Sequence, residues 1–248
     1  MKSVTAFESE ALLSSDANRL RIGGLVPFTA TDYPGELSAV VFCQGCPWRC
    51  AYCHNPHLIP AQTSDAIAWT TIYEWLKGRR GLLDAVVFSG GEPTIQTALL
   101  DALDLTRILG FKVGLHTGGI YPRKLQTALP QLDWVGLDIK ASREYYKTVT
   151  TIADSGEPAF ASLAIIKQSG VPYEVRTTVH GALTPATELL RLAQQLSDAG
   201  VTRWILQPFR DQGCDNQTLL ERANEATVLD EALLKQIRRI VKHTEIRL

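Results

Sequence analysis

Apolar residues fall along this chain in two alternating rhythms. Short apolar, β-branched runs occur at Ala39–Phe42, Ala85–Phe88, Lys112–Leu115, Trp134–Ile139, Tyr173–Val179 and Arg203–Phe209. Runs of this length predict strands buried on both faces. Between them apolar positions recur every three or four residues over Ile67–Leu76, Ile95–Leu109, Ala186–Ala199 and Leu229–Val241, which predicts helices. Gly110 and Gly200 follow the last periodic residue of two of these, where a helix stop belongs. Strands that alternate with helices predict a parallel sheet. The six units, with a short final strand at Glu245–Leu248, are too few for an eight-fold barrel. The expected fold is α/β: an incomplete, splayed (β/α)6 TIM-like barrel of parallel strands. Residues 1–21 read as a flexible lead-in, and 22–248 as a single domain with no repeat or linker.

Polar chemistry is concentrated where these strands end. The first runs into Cys46–Cys53, the second into Ser89-Gly90-Gly91-Glu92-Pro93, and the third into His116-Thr117-Gly118-Gly119. The fourth ends in Asp138-Ile139-Lys140, the fifth in His180-Gly181 and the sixth in Gln207-Pro208-Phe209-Arg210. Ligands of parallel α/β sheets bind beyond the carboxyl ends of the strands, so these segments are expected on one rim.

Composition narrows the setting. The chain has 248 residues, 45% of them hydrophobic and 21% charged, with a net charge of −1. Such a balance gives no bulk attraction to nucleic acid or to a membrane. The first twenty residues lack the basic and apolar regions of a secretory signal, and no run of about 18 apolar residues is present. A cytoplasmic location is expected, where thiols stay reduced and clustered cysteines indicate metal or catalysis.

Four of the five cysteines lie between 43 and 53, and Cys214 stands apart. Cys46, Cys50 and Cys53 form a C-x3-C-x2-C array that can hold three corners of an iron–sulfur cluster and leave one iron open. The alternative is zinc, whose motifs usually set two ligand pairs a dozen or more residues apart. Cys43, at a strand end, reads as a packed thiol. Gly90 and Gly91 let a ligand approach the backbone, with Glu92 adding negative field, or else they form a plain strand-to-helix turn. Asp138 and Lys140 share one strand face, to bind a carboxylate, a ribose or an ion, or to pair with each other. Arg176 lies inside an apolar strand and needs a partner there. His54, His57 and His180 read as residues without a chemical role, and Trp48 and Trp69 as packing.

With Cys46-x3-Cys50-x-Tyr52-Cys53-His54-Asn55, Ser89–Pro93, Thr117-Gly118-Gly119 and Asp138-Ile139-Lys140, the chain resembles radical S-adenosylmethionine enzymes over roughly residues 22–210. Within them it resembles the activating enzymes of glycyl radical enzymes. The segments Gly24–Phe28, Asp32–Gly35 and Phe42–Cys50 look most like activating proteins of anaerobic ribonucleoside-triphosphate reductase, with pyruvate formate-lyase activating enzyme second. The resemblance implies a 4Fe–4S cluster on Cys46, Cys50 and Cys53, with S-adenosylmethionine chelating the fourth iron. It places Tyr52 near the adenine, and Gly90, Gly91 and Glu92 on the amino group. Thr117, Asp138, Lys140 and Arg176 would be further cofactor contacts, with no catalytic side chain beyond cluster and cofactor. Reductive cleavage would give a 5′-deoxyadenosyl radical that takes hydrogen from a partner's glycine. The implied electron donor is a flavodoxin or ferredoxin-type protein. The lyase type has an aspartate where this chain has His116, and a histidine near Arg210, so a cation site at the third strand is in doubt. A small-molecule enzyme such as a deazapurine synthase and a non-catalytic electron carrier are the competing readings.

Overall fold

The computed structural model describes residues 15–222 and 229–248. Eight strands form one sheet in sequence order: β1 (Ile22–Thr29), β2 (Ser38–Cys43), β3 (Ala85–Gly90), β4 (Lys112–Thr117), β5 (Trp134–Asp138), β6 (Tyr173–Val179), β7 (Arg203–Pro208) and β8 (His243–Ile246). β2 through β8 are parallel, and β1 runs antiparallel on the edge of β2. β1 and β8 are the two ends of the strand order, so the sheet stays open, as a splayed barrel requires.

The six expected strands are β2–β7 within two residues at each end, and the short final strand is β8, shifted to begin at His243. β1 carries no clear strand signal because it contains two glycines, which weaken a strand, and Pro27, which is confined to sheet edges. Its register slips between Val26 and Thr29, around that proline. Part of the expected lead-in is ordered structure: Asp16–Arg19 form a 3-10 turn, and Ala17 and Leu20 are buried in the main core. Residues 1–14 of that lead-in lie outside the described residues.

Helices cover the outer face. In α1 (Trp69–Lys77), Trp69, Ile72, Tyr73 and Leu76 are buried, the i, i+3, i+4, i+7 stripe of an amphipathic helix. α2 (Leu99–Ile108), α3 (Pro122–Ala128), α4 (Tyr146–Thr150), α5 (Gly156–Ser169), α6 (Ala186–Asp198), α7 (Gln217–Glu221) and α8 (Glu231–Ile240) complete the described set. Gly110 and Gly200 have φ of +91° and +72°, the left-handed residue that ends a helix. None of the described helices is long and apolar enough to cross a membrane.

Alternate strand residues pack on these helices, and the others face inward. Val40, Ala85, Val87 and Trp134 form a separate inner cluster with Tyr33 from the β1–β2 loop. The Tyr33 ring lies 5.2 Å from Trp134, and a Cβ on Gly114 would come within 3.0 Å of it. On the same face lower in β6, the buried Glu174 accepts from both terminal nitrogens of Arg247 at 2.6 and 2.9 Å. The C-terminal end thereby ties β8 to β6 across β7.

Candidate active site

The carboxyl ends of the strands open onto a cavity. Cys46, Cys50 and Cys53 line it, and so do Tyr52, Gly90, Gly91 and Glu92. Thr117, Asp138, Lys140 and Arg176 line it from the other strands. Every candidate site residue read from the sequence therefore meets in one place.

The cysteines sit on the loop after β2, whose regular structure is limited to a 3-10 turn at Pro56–Leu58. Three parts of the fold hold it. At the Cys46 end, the Gly45 and Cys46 amides donate to Leu58 O and Ile59 O, and the Gln44 side chain donates to His57 O and Pro60 O. In the middle, Arg49 N and Ala51 N donate to Thr150 O and Val149 O at the end of α4. At the Cys53 end, the segment after β7 makes the contacts.

Burial pushes the Cys46 thiol up to about 12, and it raises Cys50 and Cys53 as well. Thiols in such a place stay protonated unless metal charge compensates them, since coordination deprotonates a thiol outright. No three His, Cys, Asp or Glu side chains among the described residues are grouped tightly enough to hold one metal ion. A multi-iron cluster asks each thiolate to ligate a different iron, so three thiols holding one need not converge on a single ion.

The end of β3 abuts this loop. Gly91 N donates to Cys43 O and Glu92 N to Gly45 O, both at 2.9 Å. A Cβ on Gly91 would lie 2.3 Å from Gly45 O, and one on Gly90, where φ is +112°, 2.5 Å from Cys43 N and O. The two glycines are thus demanded by backbone packing against the cysteine loop as well as by any ligand. Glu92 is buried and accepts from Thr94 N (3.1 Å), Thr94 Oγ1 (2.5 Å) and Thr117 Oγ1 (2.8 Å) on one oxygen. Its other oxygen accepts from Gly118 N at 3.0 Å. The carboxylate ties β3 to β4, and Thr117 spends its hydroxyl hydrogen on Glu92. Burial raises the Glu92 pKa, and these donors oppose the rise.

Across the cavity, Asp138 Oδ1 accepts from Arg176 Nε at 2.9 Å, and Arg176 Nη2 forms an ion pair with the same oxygen at 2.9 Å. The Lys140 ammonium is 3.7 Å from Asp138 Oδ2 and lies over the Tyr52 ring at 5.6 Å. Burial opposes the charge on Asp138, but Arg176 and Lys140 outweigh it and hold the pKa below the usual value. Two cations already match this carboxylate.

His116 points into the same group. Its Nε2 is 3.0 Å from Arg176 Nη1 and 2.8 Å from Asp32 O. One ring nitrogen accepts from the guanidinium or donates to the carbonyl, not both at once. Burial, then Arg176, hold the His116 pKa far below 6.5, so the ring is neutral.

Residues outside the candidate set also shape the site. Trp48, read from the sequence as packing, is buried yet lines the cavity, edge-on to Tyr146. Tyr146 accepts from Lys140 N at 3.1 Å and donates to Asp138 O at 3.3 Å. No local signal marks it, since it lies on a short helix without periodic pattern. His54 lines the cavity, and its Nε2 pairs with Arg210 O at 3.0 Å. His180 is fully buried and satisfied by Ala182 N and Leu219 O, while His57 is exposed. Cys43 is buried in the main core.

Residues 40–193 match the model of the radical SAM superfamily, and the chain belongs to that superfamily. It is an enzyme of the radical SAM type, a class that uses a 4Fe–4S cluster and S-adenosylmethionine. Among its relatives is a protein of Methanocaldococcus jannaschii named as a glycyl-radical enzyme activating enzyme, 26% identical over 90% of this chain and 95% of its own length. Pyruvate formate-lyase-activating enzyme of Clostridium pasteurianum is 28% identical over 90% and 97%. Escherichia coli QueE shares the fold with a TM-score of 0.51 and 20% identity, over 94% of this chain and 99% of that one.

Proposed function

We propose that this protein activates a glycyl radical enzyme, most nearly the anaerobic ribonucleoside-triphosphate reductase. The observation that carries the reading is the meeting of three thiols with Asp138, Lys140, Arg176 and Glu92 in one cavity at the strand ends. Whole-length relatives named as activating enzymes support it. In this reading Cys46, Cys50 and Cys53 hold the cluster, and S-adenosylmethionine occupies the rest of the cavity. When bound, cluster and cofactor supply one-electron cleavage of a sulfonium and a carbon radical able to take hydrogen from glycine.

The chain's own residues bind and orient. Lys140 offers its ammonium to a carboxylate, and Asp138, with Oδ2 less engaged than Oδ1, accepts from a hydroxyl. Arg176 fixes that carboxylate by a hydrogen bond and an ion pair. Glu92 Oε2 accepts one hydrogen bond and has a lone pair left for an ammonium group. Buried Trp48 and Tyr52 keep water from that side, which protects a reactive radical from side reactions. An electron donor of the flavodoxin or ferredoxin type is part of the proposal.

The reductase is favoured over the lyase because His116 stands against Arg176 where the lyase type has an aspartate. The lyase remains the second reading, favoured by the Clostridium relative.

Anaerobically reconstituted protein with dithionite and S-adenosylmethionine should form 5′-deoxyadenosine, and Cys50→Ala should abolish it. A glycyl radical EPR signal should then appear on added reductase and not on added lyase. The reverse selectivity moves the assignment to the lyase, and no cleavage by a loaded cluster ends the proposal.

A further inference from the structure

The Cys53 end of the loop depends on a segment that lies beyond the superfamily match at 40–193. Residues 209–216, between β7 and α7, make five contacts with it. Asn216 Nδ2 donates to Ala51 O at 3.0 Å, and the Cys214 thiol lies 3.9 Å from the same oxygen. Arg210 O pairs with the His54 ring at 3.0 Å, and that ring stacks on Phe209 at 5.6 Å. Gly213, at φ +85°, passes so close that a Cβ there would meet His54 O at 2.3 Å. Ala51 and His54 bracket Cys53 in the chain. No residue of 209–216 lines the cavity; the segment stands behind the loop.

We propose that residues 209–216 form a brace that sets the position of Cys53, with Asn216 as its positioning residue. The proposal rests on the assignment of Cys53 as a cluster ligand but not on the identity of the partner enzyme. The Cys46 end is held instead by Leu58 and Ile59, further along the same loop. Asn216 also caps α7, where its Oδ1 faces Leu219 N at 3.4 Å. Asn216→Asp separates the brace from the cap. Aspartate caps a helix as well as asparagine does, but it has no N–H to give Ala51.

The test compares wild-type protein, Asn216→Asp and Cys214→Ser as full-length chains. In iron-free protein, alkylation followed by mass spectrometry reads the labelling rate of each cysteine. Asn216→Asp should speed labelling of Cys53 about fivefold, the factor equivalent to about 1 kcal/mol, and leave Cys46 unchanged. In reconstituted protein the same variant should release iron to a chelator faster by a similar factor. Cys214→Ser should keep both the iron content and the release rate, since its thiol contact is weak. Equal acceleration at Cys46 and Cys53 would mean general loosening of the fold and would overturn the brace. Unchanged labelling of Cys53 would overturn it as well. Loss of iron in Cys214→Ser would make that thiol a ligand and overturn its place in the brace. The labelling readout stands even if the wild-type chain takes up no iron, so failure of the cluster assignment is visible separately.

Discussion

Around Asp138 the polar side chains are engaged with one another: Arg176 with its carboxylate, His116 with Arg176, and Lys140 with both Asp138 and the Tyr52 ring. A neutral histidine is built into this group, and that has a thermodynamic signature. The pKa of His116 is depressed in the folded state, by burial first and by Arg176 second. The unfolded chain therefore binds a proton near pH 6.5 that the folded protein refuses. Its contribution to stability is complete above about pH 6.5 and is lost progressively as pH falls below that value. His116→Gln keeps an acceptor for Arg176 and removes the titration. Urea unfolding between pH 7 and pH 4.5 should show a shallower loss of stability in the variant, by up to about 1.4 kcal/mol per pH unit. Parallel curves for the two proteins would show that His116 titrates normally.

At the scale of elements, the junction of β3 with the cysteine loop is the tightest part of the site. Gly91→Ala meets the Gly45 carbonyl, a backbone atom that cannot swing aside as a side chain would. The variant should lower stability by about 1–3 kcal/mol and reduce iron uptake on reconstitution, while Gly110→Ala, far from the loop, should leave uptake intact. Much of this arrangement was legible in the sequence. Close spacing of cysteines, paired glycines and an Asp-x-Lys strand each specify chemistry through a local pattern, and parallel topology brings them to one rim. Contacts fixed by tertiary packing were not legible. α5 is not among the expected helices; it begins Gly156-Glu157-Pro158, with its proline in the first turn, where a helix tolerates one. β1 hides behind its glycines and proline. Glu92 as a strut between strands, Tyr146 beneath Lys140 and the brace on Ala51 depend on partners 25, 6 and 165 residues away, and no spacing rule reveals them.

At the scale of the whole molecule, the open sheet has two free edges to manage, and the inner face is closed by side chains from its ends. Tyr33 enters from the β1–β2 loop and Arg247 from the last residues of the chain. Glu174 is 1% exposed and takes both nitrogens of Arg247, whose side chain is 25% exposed. Removing the arginine strands a buried carboxylate. Arg247→Met should cost roughly 2–3 kcal/mol in urea unfolding at pH 7, less than a fully buried pair would lose. The Glu174→Gln, Arg247→Met double variant should recover part of that loss; a single variant as stable as wild type would show that water replaces the arginine.

The cysteine loop borrows its shape from the ends of β3, α4 and β7, and although Trp48 and Tyr52 pack into the main apolar core, the strands and helices build most of it. Loading and folding are therefore separate events here, unlike in a zinc finger, where metal binding is the folding energy. Iron-free protein should keep its far-UV circular dichroism and cooperative unfolding, with any faster hydrogen exchange confined to residues 44–59 and the contacts of that loop to residues 209–216 retained. Oxygen that strips the iron would then leave a folded vessel, ready to be refilled when anaerobic conditions return, so that damage is met by repair and not by resynthesis of the chain.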